Sequence, residues 1–345
     1  MKHHNLPVFV PFYGCPHRCV FCDQRSITGQ ADVWDADLVR QELERYAASV
    51  PEGDEAEIAF FGGTFTGIPR KAQQAYLDIA ASFVRDGRAK GIRFSTRPDC
   101  LDGDTVDFLK GYPLSCVELG IQSLSDRVLQ KIRRGHDAAC AMDAMERLRK
   151  AGIPFAGQMM TGLPGSTPED ETETAQGIIR AGACEARIYP LVVFAGTDLE
   201  RMCREGDYTP PGQQEMLRRT AAVLELFRQA GVKVLRIGLC ENESLRNPGV
   251  AVDGAKESAL GERVWSLVYQ KRVEAEMARR GPVTGPGQWV IEVPRGAESK
   301  VSGQKKENRM RWESAYPGVR VRIRGLYPPD SDRLTVRFEA EQKKQ

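Results

Sequence analysis

The 345 residues carry 49 Lys and Arg against 47 Asp and Glu, a net charge of +2, with 41% apolar and 28% charged residues. This is the composition of a globular protein, not of a polycation, so any attraction to nucleic acid must come from a local patch. No apolar run approaches the roughly 20 residues that span a bilayer, the start "MKHHNLPVFVPFYG" lacks a signal-peptide pattern, and nine cysteines, an odd number, argue for a reducing cytoplasm rather than a disulfide framework.

Strand-like runs rich in Val, Ile and Phe occur at 8–12, 57–63, 91–97, 116–122, 154–160, 186–194 and 232–238. Helical segments separate them, at 35–50, 70–86, 103–111, 125–134, 138–152, 167–182 and 213–230. Their apolar residues recur at three- and four-residue spacing, as in Leu38, Leu43 and Tyr46, or Met142, Met145 and Leu148. Near-continuous apolar strands alternating with helices predict an α/β fold with parallel strands buried on both faces. Right-handed crossovers then give an open doubly wound sheet or a full or partial barrel. Glycine-rich and polar runs ("GGTF", "STRPD", "GIQS", "GLPG") stand at the carboxyl ends of these strands, where an α/β site belongs. After residue 240 the pattern changes. A loop-like stretch precedes a helix at 260–281, then a compact β-α-β unit, then a last strand near the end. The expected organisation is a domain over 1–240 and a small α+β region over 241–345.

"YGCPHRCVFC" places Cys15, Cys19 and Cys22 within eight residues. A structural zinc site asks for four ligands, and no second CxxC pair or zinc-knuckle histidine spacing accompanies these three. A redox pair of Cys19 and Cys22 would leave Cys15 without a purpose. Three thiolates suit three irons of a four-iron cluster, whose fourth iron is then open to another ligand. The remaining cysteines, Cys100, Cys116, Cys140, Cys184, Cys203 and Cys240, stand singly and read as buried small hydrophobes.

CxxxCxxC with Phe21 just before its last cysteine resembles the signature of the radical S-adenosylmethionine (SAM) superfamily. The resemblance implies a partial (β/α)6 TIM-like barrel and a 4Fe–4S cluster on Cys15, Cys19 and Cys22. It also implies SAM as cofactor, chelated by the open iron, and a reducing protein such as flavodoxin or ferredoxin as electron donor. One electron would break the sulfonium C–S bond, and the resulting 5′-deoxyadenosyl radical would abstract a hydrogen atom; the cofactor carries this chemistry and the protein orients it. "GGTF" looks like the family's second-strand motif, which implies SAM contacts for Gly62, Gly63 and Thr64. The run "GGTF" followed by "TRPD" resembles the radical SAM domain of the Elongator catalytic subunit and its bacterial relatives, in which Glu usually precedes "TRPD"; here Ser95 stands there.

Gln122 and Arg134 match positions that help hold SAM in the oxygen-independent coproporphyrinogen oxidases, and Gln158 stands where those enzymes usually carry Asp. Arg97, Glu118 and Tyr189 are the candidates for catalysis, with Arg187 beside the last. Glu118 on an apolar strand would be costly without partners, so it is expected to face the site. His136 is a possible general acid or base. The resemblance covers about residues 5–240.

From Arg295 onward, 13 Lys and Arg face 7 Asp and Glu, a balance of +6. Gly303 followed by Lys305, Lys306 and Arg309 suggests a basic loop that clamps phosphates in the manner of KH-type RNA modules, although the GxxG pattern is missing. Charge and resemblance together make tRNA the preferred partner and nucleoside modification the preferred function, with no membrane association. The alternatives are a radical SAM enzyme acting on a small molecule such as a tetrapyrrole, and a metal-stabilised RNA-binding protein without catalysis. No coenzyme A loop is legible, so acetyl transfer in the Elongator manner is not expected of this chain.

Overall fold

The computed structural model describes residues 3–10, 14–23, 35–239, 247, 249–256, 259–283 and 285–341. Seven parallel strands form one sheet in which sequence order is nearly spatial order: β1 (His3–Phe9), β2 (Glu55–Phe61), β3 (Ile92–Thr96), β4 (Leu114–Gln122), β5 (Phe155–Thr161), β6 (Glu185–Pro190) and β8 (Lys233–Ile237). A sheet wound in one direction curls, because each right-handed crossover lays its helix on the same face. The result is an open half-barrel rather than a doubly wound sheet. Between β6 and β8, the short β7 (Val192–Phe194) leaves the barrel and pairs antiparallel with β9 (Ala251–Gly254). The run 186–194 is therefore two strands, and 251–254, expected as loop, is a strand. The expected strand at 8–12 ends at Phe9, and residues 11–13 lie outside the described residues.

Side chains on each strand alternate between two environments. Leu6, Val8, Ile58, Phe60, Ile92, Phe94, Val117 and Leu119 join the apolar core beneath the helices. Glu57, Arg93, Ser95, Glu118, Gln158 and Arg187 occupy the opposite parity and face the barrel interior. The crossover helices are α1 (Ala36–Ala48), α2 (Arg70–Arg85), α3 (Gly103–Leu109), α4 (Asp126–Lys131), α5 (Ala138–Lys150), α6 (Pro168–Arg180), α7 (Asp198–Glu205) and α8 (Gln213–Gln229). Asp35, Asp102 and Asp137 cap α1, α3 and α5, and Thr167 with Asp170 forms a full capping box on α6.

Two helix faces are rotated from expectation. Leu38 and Met142 are exposed, while their neighbours Val39 and Ala141 are buried with Leu43 and Met145. Of the single cysteines, Cys116 is buried, Cys100, Cys140 and Cys203 are half-buried and Cys184 is exposed. The expectation of buried hydrophobes holds for Cys116 alone among these five; Cys240 lies outside the described residues.

α9 (Leu260–Arg280) belongs to two cores. Leu260, Val264 and Val268 pack in the barrel core. Tyr269, Val273 and Met277 pack in a second one with Trp289, Ile291, Val301, Trp312 and Val321. That second core lies on a three-stranded sheet of order β11-β10-β12, made of β10 (Gly287–Pro294), β11 (Val319–Tyr327) and β12 (Thr335–Ala340). β11 runs parallel to β10 and β12 antiparallel. The connection from β10 to β11 is two helices, α10 (Glu298–Ser302) and α11 (Glu307–Ala315), rather than one. Between them Gly303, Lys305 and Lys306 all have positive φ, at 80°, 51° and 65°. Asn308, buried at the start of α11, donates to the carbonyls of Ser266 and Val301 and so ties this turn to α9. Among the described residues no helix is long and apolar enough to cross a membrane.

Candidate functional site

The described part of the loop after β1 is fixed by backbone contacts at Gly14 and at Val20. Gly14 has φ +75°, and a Cβ there would strike the Thr64 carbonyl and the backbone of Gly67 and Ile68, so only glycine lets the loop lie on the turn after β2. Farther along, Val20 N–H donates to the Ile132 carbonyl, and the Val20 carbonyl accepts from Leu199 N–H. The loop is thereby held between α4 and α7. It carries three free thiols, with Cys19 buried and Cys15 and Cys22 half-buried. Cys15 Sγ lies 3.0 Å from Thr64 Oγ1, and Arg134 Nη1 donates to Cys19 Sγ at 3.4 Å.

All three cysteines line one cavity of about 550 Å³ at the carboxyl ends of the strands. Gly62, Gly63, Thr64, Ser95, Arg97, Glu118, Gln122, Arg134, Gln158, Arg187 and Tyr189 line it as well. The structure thus brings the cysteines and the expected cofactor and catalytic residues of the barrel to one place. It does not bring His136 there: that ring is half-buried outside the cavity lining, and burial, then the Arg134 charge, pushes its pKa down to about 4. Lys305, Lys306 and Arg309 lie on the second sheet's helical connection, with both lysines exposed and Arg309 paired with Glu313 at 3.0 Å.

The interior polar groups fall into two sets. In the first, Glu118 is fully buried and accepts from Arg93 Nη1 (2.9 Å), Gln158 Nε2 (2.8 Å), Arg187 Nε (2.7 Å) and Arg187 Nη2 (3.0 Å). Arg93 continues the chain to Glu57 and to Glu185 at 3.0 Å, and Ser115 donates to Glu57. Gln158 also donates to Ser95 Oγ at 3.2 Å. Burial lowers the pKa of Arg93, but Glu57, Glu118 and Glu185 outweigh it and hold the guanidinium charged; Glu118 and Tyr189 do the same for Arg187. Glu118 faces the interior as expected, and it is saturated by partners.

The second set is incompletely satisfied. Gln122 ends β4 with φ +68°, a conformation costly for a residue with a Cβ. Its Oε1 is buried without a hydrogen-bond partner, as is Arg134 Nε. Gly120 makes room for both, since a Cβ there would lie 2.8 Å from Arg134 Nη2 and 3.1 Å from Gln122 Nε2. Arg97 holds Asp99 by two bonds of 2.9 Å and donates to the Arg134 carbonyl. Burial pushes the Asp99 carboxyl up, but the hydrogen bond and charge of Arg97 prevail and hold it below the usual range.

Sequence reading did not single out Phe9 and Phe61, which supply apolar wall, or Arg236 at the far edge of the sheet, all of which line the cavity. Strand parity was the signal available for Phe9 and Phe61, which sit two residues from the lining positions Pro7 and Gly63; for Arg236 a bulge in the pairing of β6 with β8 breaks that parity, and Val234 packs in the core. Phe61 also lies under Arg187, with the guanidinium 5.3 Å from its ring centre.

Comparison with known proteins finds two family models on this chain: Radical SAM superfamily over residues 9–177 and Radical_SAM C-terminal domain over residues 185–270. An uncharacterized protein of Methanocaldococcus jannaschii is 28% identical over 65% of this chain and 72% of its own length. A tRNA uridine(34) acetyltransferase of Methanocaldococcus infernus is 23% identical over 77% of this chain and 56% of its own, so the chain spans little more than half of that relative. Among solved structures, the archaeal Methanocaldococcus infernus Elp3 with an N-terminal deletion shares the fold, with a TM-score of 0.60 and 22% identity over 79% of this chain and 63% of that one.

Proposed function

The chain belongs to the radical SAM superfamily of SAM-dependent enzymes, and from that premise we propose that it cleaves SAM reductively at a 4Fe–4S cluster and acts on a nucleoside of tRNA. The observation that carries the first part is the conjunction of three free thiols on one glycine-docked loop with two unpartnered buried polar atoms, Gln122 Oε1 and Arg134 Nε, in the same cavity. The donor set fits a cluster: sulfur is the ligand iron–sulfur centres take, and Arg134 donates to Cys19 Sγ. Buried polar atoms without partners are rare in native proteins and ask for a ligand that satisfies them.

When bound, the cluster supplies the electron that breaks the C–S bond of SAM and yields a 5′-deoxyadenosyl radical. The residues of this chain bind and orient. Gly62 and Gly63 line the wall beside Thr64 and, lacking Cβ atoms, would let the backbone approach the amino group of SAM. Gln122 and Arg134 offer hydrogen bonds to its polar atoms. Ser95 and Gln158 stand beside Glu118, which fixes Gln158 and Arg187 at the cavity floor. Phe9, Phe61, Met160 and Phe194 exclude water from the volume between, which protects a reactive intermediate. A small electron-transfer protein such as flavodoxin or ferredoxin supplies the electron, in a reducing cytoplasm.

The tRNA assignment is supported by what the matched relative is called and by the exposed lysines of the turn at 303–306. A test follows in two stages. The chain is reconstituted anaerobically with iron and sulfide, reduced with dithionite and given SAM; 5′-deoxyadenosine is expected, and a well-formed cluster that yields none overturns the enzymatic reading. Mass spectrometry of tRNA nucleosides from a deletion strain then addresses the substrate. An unchanged nucleoside profile sets tRNA aside.

A further inference from the structure

We infer that Arg236 is a phosphate-binding residue of the substrate site, placed where a nucleic-acid strand enters between the two edge strands of the half-barrel; this rests on the tRNA reading above. Among the described residues β1 pairs with β2 alone and β8 with β6 alone, so the barrel is open along a seam. Asn5 and Pro7 of β1 and Arg236 and Leu239 beyond the seam line the same cavity. The cavity therefore reaches the seam. Pro7 offers no N–H to a neighbouring strand, and an edge carrying proline resists closure by further pairing.

Charge makes the seam selective. Among the described residues, five arginines, Arg18, Arg97, Arg134, Arg187 and Arg236, line the cavity with one carboxylate, Glu118. That carboxylate is consumed by Arg93 and Arg187. Arg97 is committed to Asp99, and Arg134 to Cys19 and the Gly120 carbonyl. Arg236 is exposed and has no hydrogen bond or ion pair among the described residues. It also stands in register with Arg187 on the adjacent strand. Like charges side by side on paired strands destabilise a sheet. An anion from outside the chain removes that penalty, and a phosphodiester meets the guanidinium in the bidentate geometry it favours.

The test measures binding of a fluorescently labelled RNA stem–loop by anisotropy between about 50 and 200 mM salt. The wild-type chain, R236Q, R236K and R280Q are compared, each checked for its cluster absorbance and thermal midpoint. Arg280 is exposed at the end of α9, away from the cavity lining, and controls for loss of charge as such. R236Q is expected to bind about tenfold more weakly, with the slope of log affinity against log salt shallower by about 0.7–0.9, the contribution of one phosphate contact. R236K should recover the slope, and R280Q should match wild type. RNA binding by R236Q with wild-type affinity and slope overturns the inference while leaving the tRNA reading in place. Failure of the wild-type chain itself to bind RNA is a separate result: it overturns that reading, and this one with it.

Discussion

Near the amino ends of the strands, Glu57, Arg93, Glu118, Glu185 and Arg187 use up one another's hydrogen bonds. At the carboxyl ends, Arg134 is buried and Gln122 half-buried, and they leave the enclosed Oε1 of Gln122 and Nε of Arg134 unused. Both regions are interior, polar and built on the same sheet. Burial of a charged or polar group is therefore not what distinguishes a site from a support; at the barrel interior the two differ in satisfaction, although Trp289 and Trp312 in the second core also leave their indole N–H groups without partners. A saturated network fixes the barrel floor, and breaking one partner leaves the others charged in low dielectric. An unsaturated one carries its cost until a ligand arrives.

The difference is sharpest in its consequences for iron. Cys19→Ala is expected to abolish the visible iron–sulfur absorbance after anaerobic reconstitution, since it removes one of three thiols at the mouth. A variant that keeps a full four-iron spectrum would refute the ligand assignment. At the floor, Glu118→Ala should cost about 3–5 kcal/mol in urea denaturation, because Arg93 and Arg187 lose their shared counter-charge. A cost under about 1 kcal/mol would mean that the floor is solvated and the contrast is false.

Gln122→Gly acts in the opposite sense. It relieves a left-handed residue and should stabilise the apo chain by about 1 kcal/mol, while weakening SAM binding measured by calorimetry. Destabilisation would show that Gln122 belongs with the saturated set. A further effect concerns pH. His136 stays neutral in the folded chain down to about pH 4, whereas the unfolded chain takes up a proton near 6.5. Between those values the unfolded state binds more protons, so stability present above pH 6.5 declines as pH falls toward 4. His136→Gln should flatten that part of the stability profile, and an unchanged slope would remove His136 from the account.

Much of the mouth was legible in the sequence, because its signals are local: a cysteine spacing, a glycine pair, and polar runs closing apolar ones. The floor was not. Arg93 sits inside a run that reads as an apolar strand, and its carboxylate partners lie on three other strands. Glu118 stands out in the sequence as costly without partners, but pairing at such separations follows from sheet register, which local pattern does not specify. Helix faces failed for a related reason. Leu38 and Val39 are adjacent and apolar, and packing alone turned Val39 inward. The three-residue β7 is too short to carry a strand signal, and its partner β9 lies among turn residues. Arg236 escaped notice because a lone arginine on a strand has no motif; its meaning comes from its place on an edge strand at the cavity.

The long helix α9 inserts one end among the side chains of the barrel and the other among those of the second sheet. Asp332, in the loop before β12, reinforces the join by pairing with Arg272 of α9 and Arg228 of α8. A rod clamped at both ends passes a load from one clamp to the other. Denaturation should accordingly register as one transition rather than two, and a chain cut after residue 256 should lose barrel cohesion along with its basic tail.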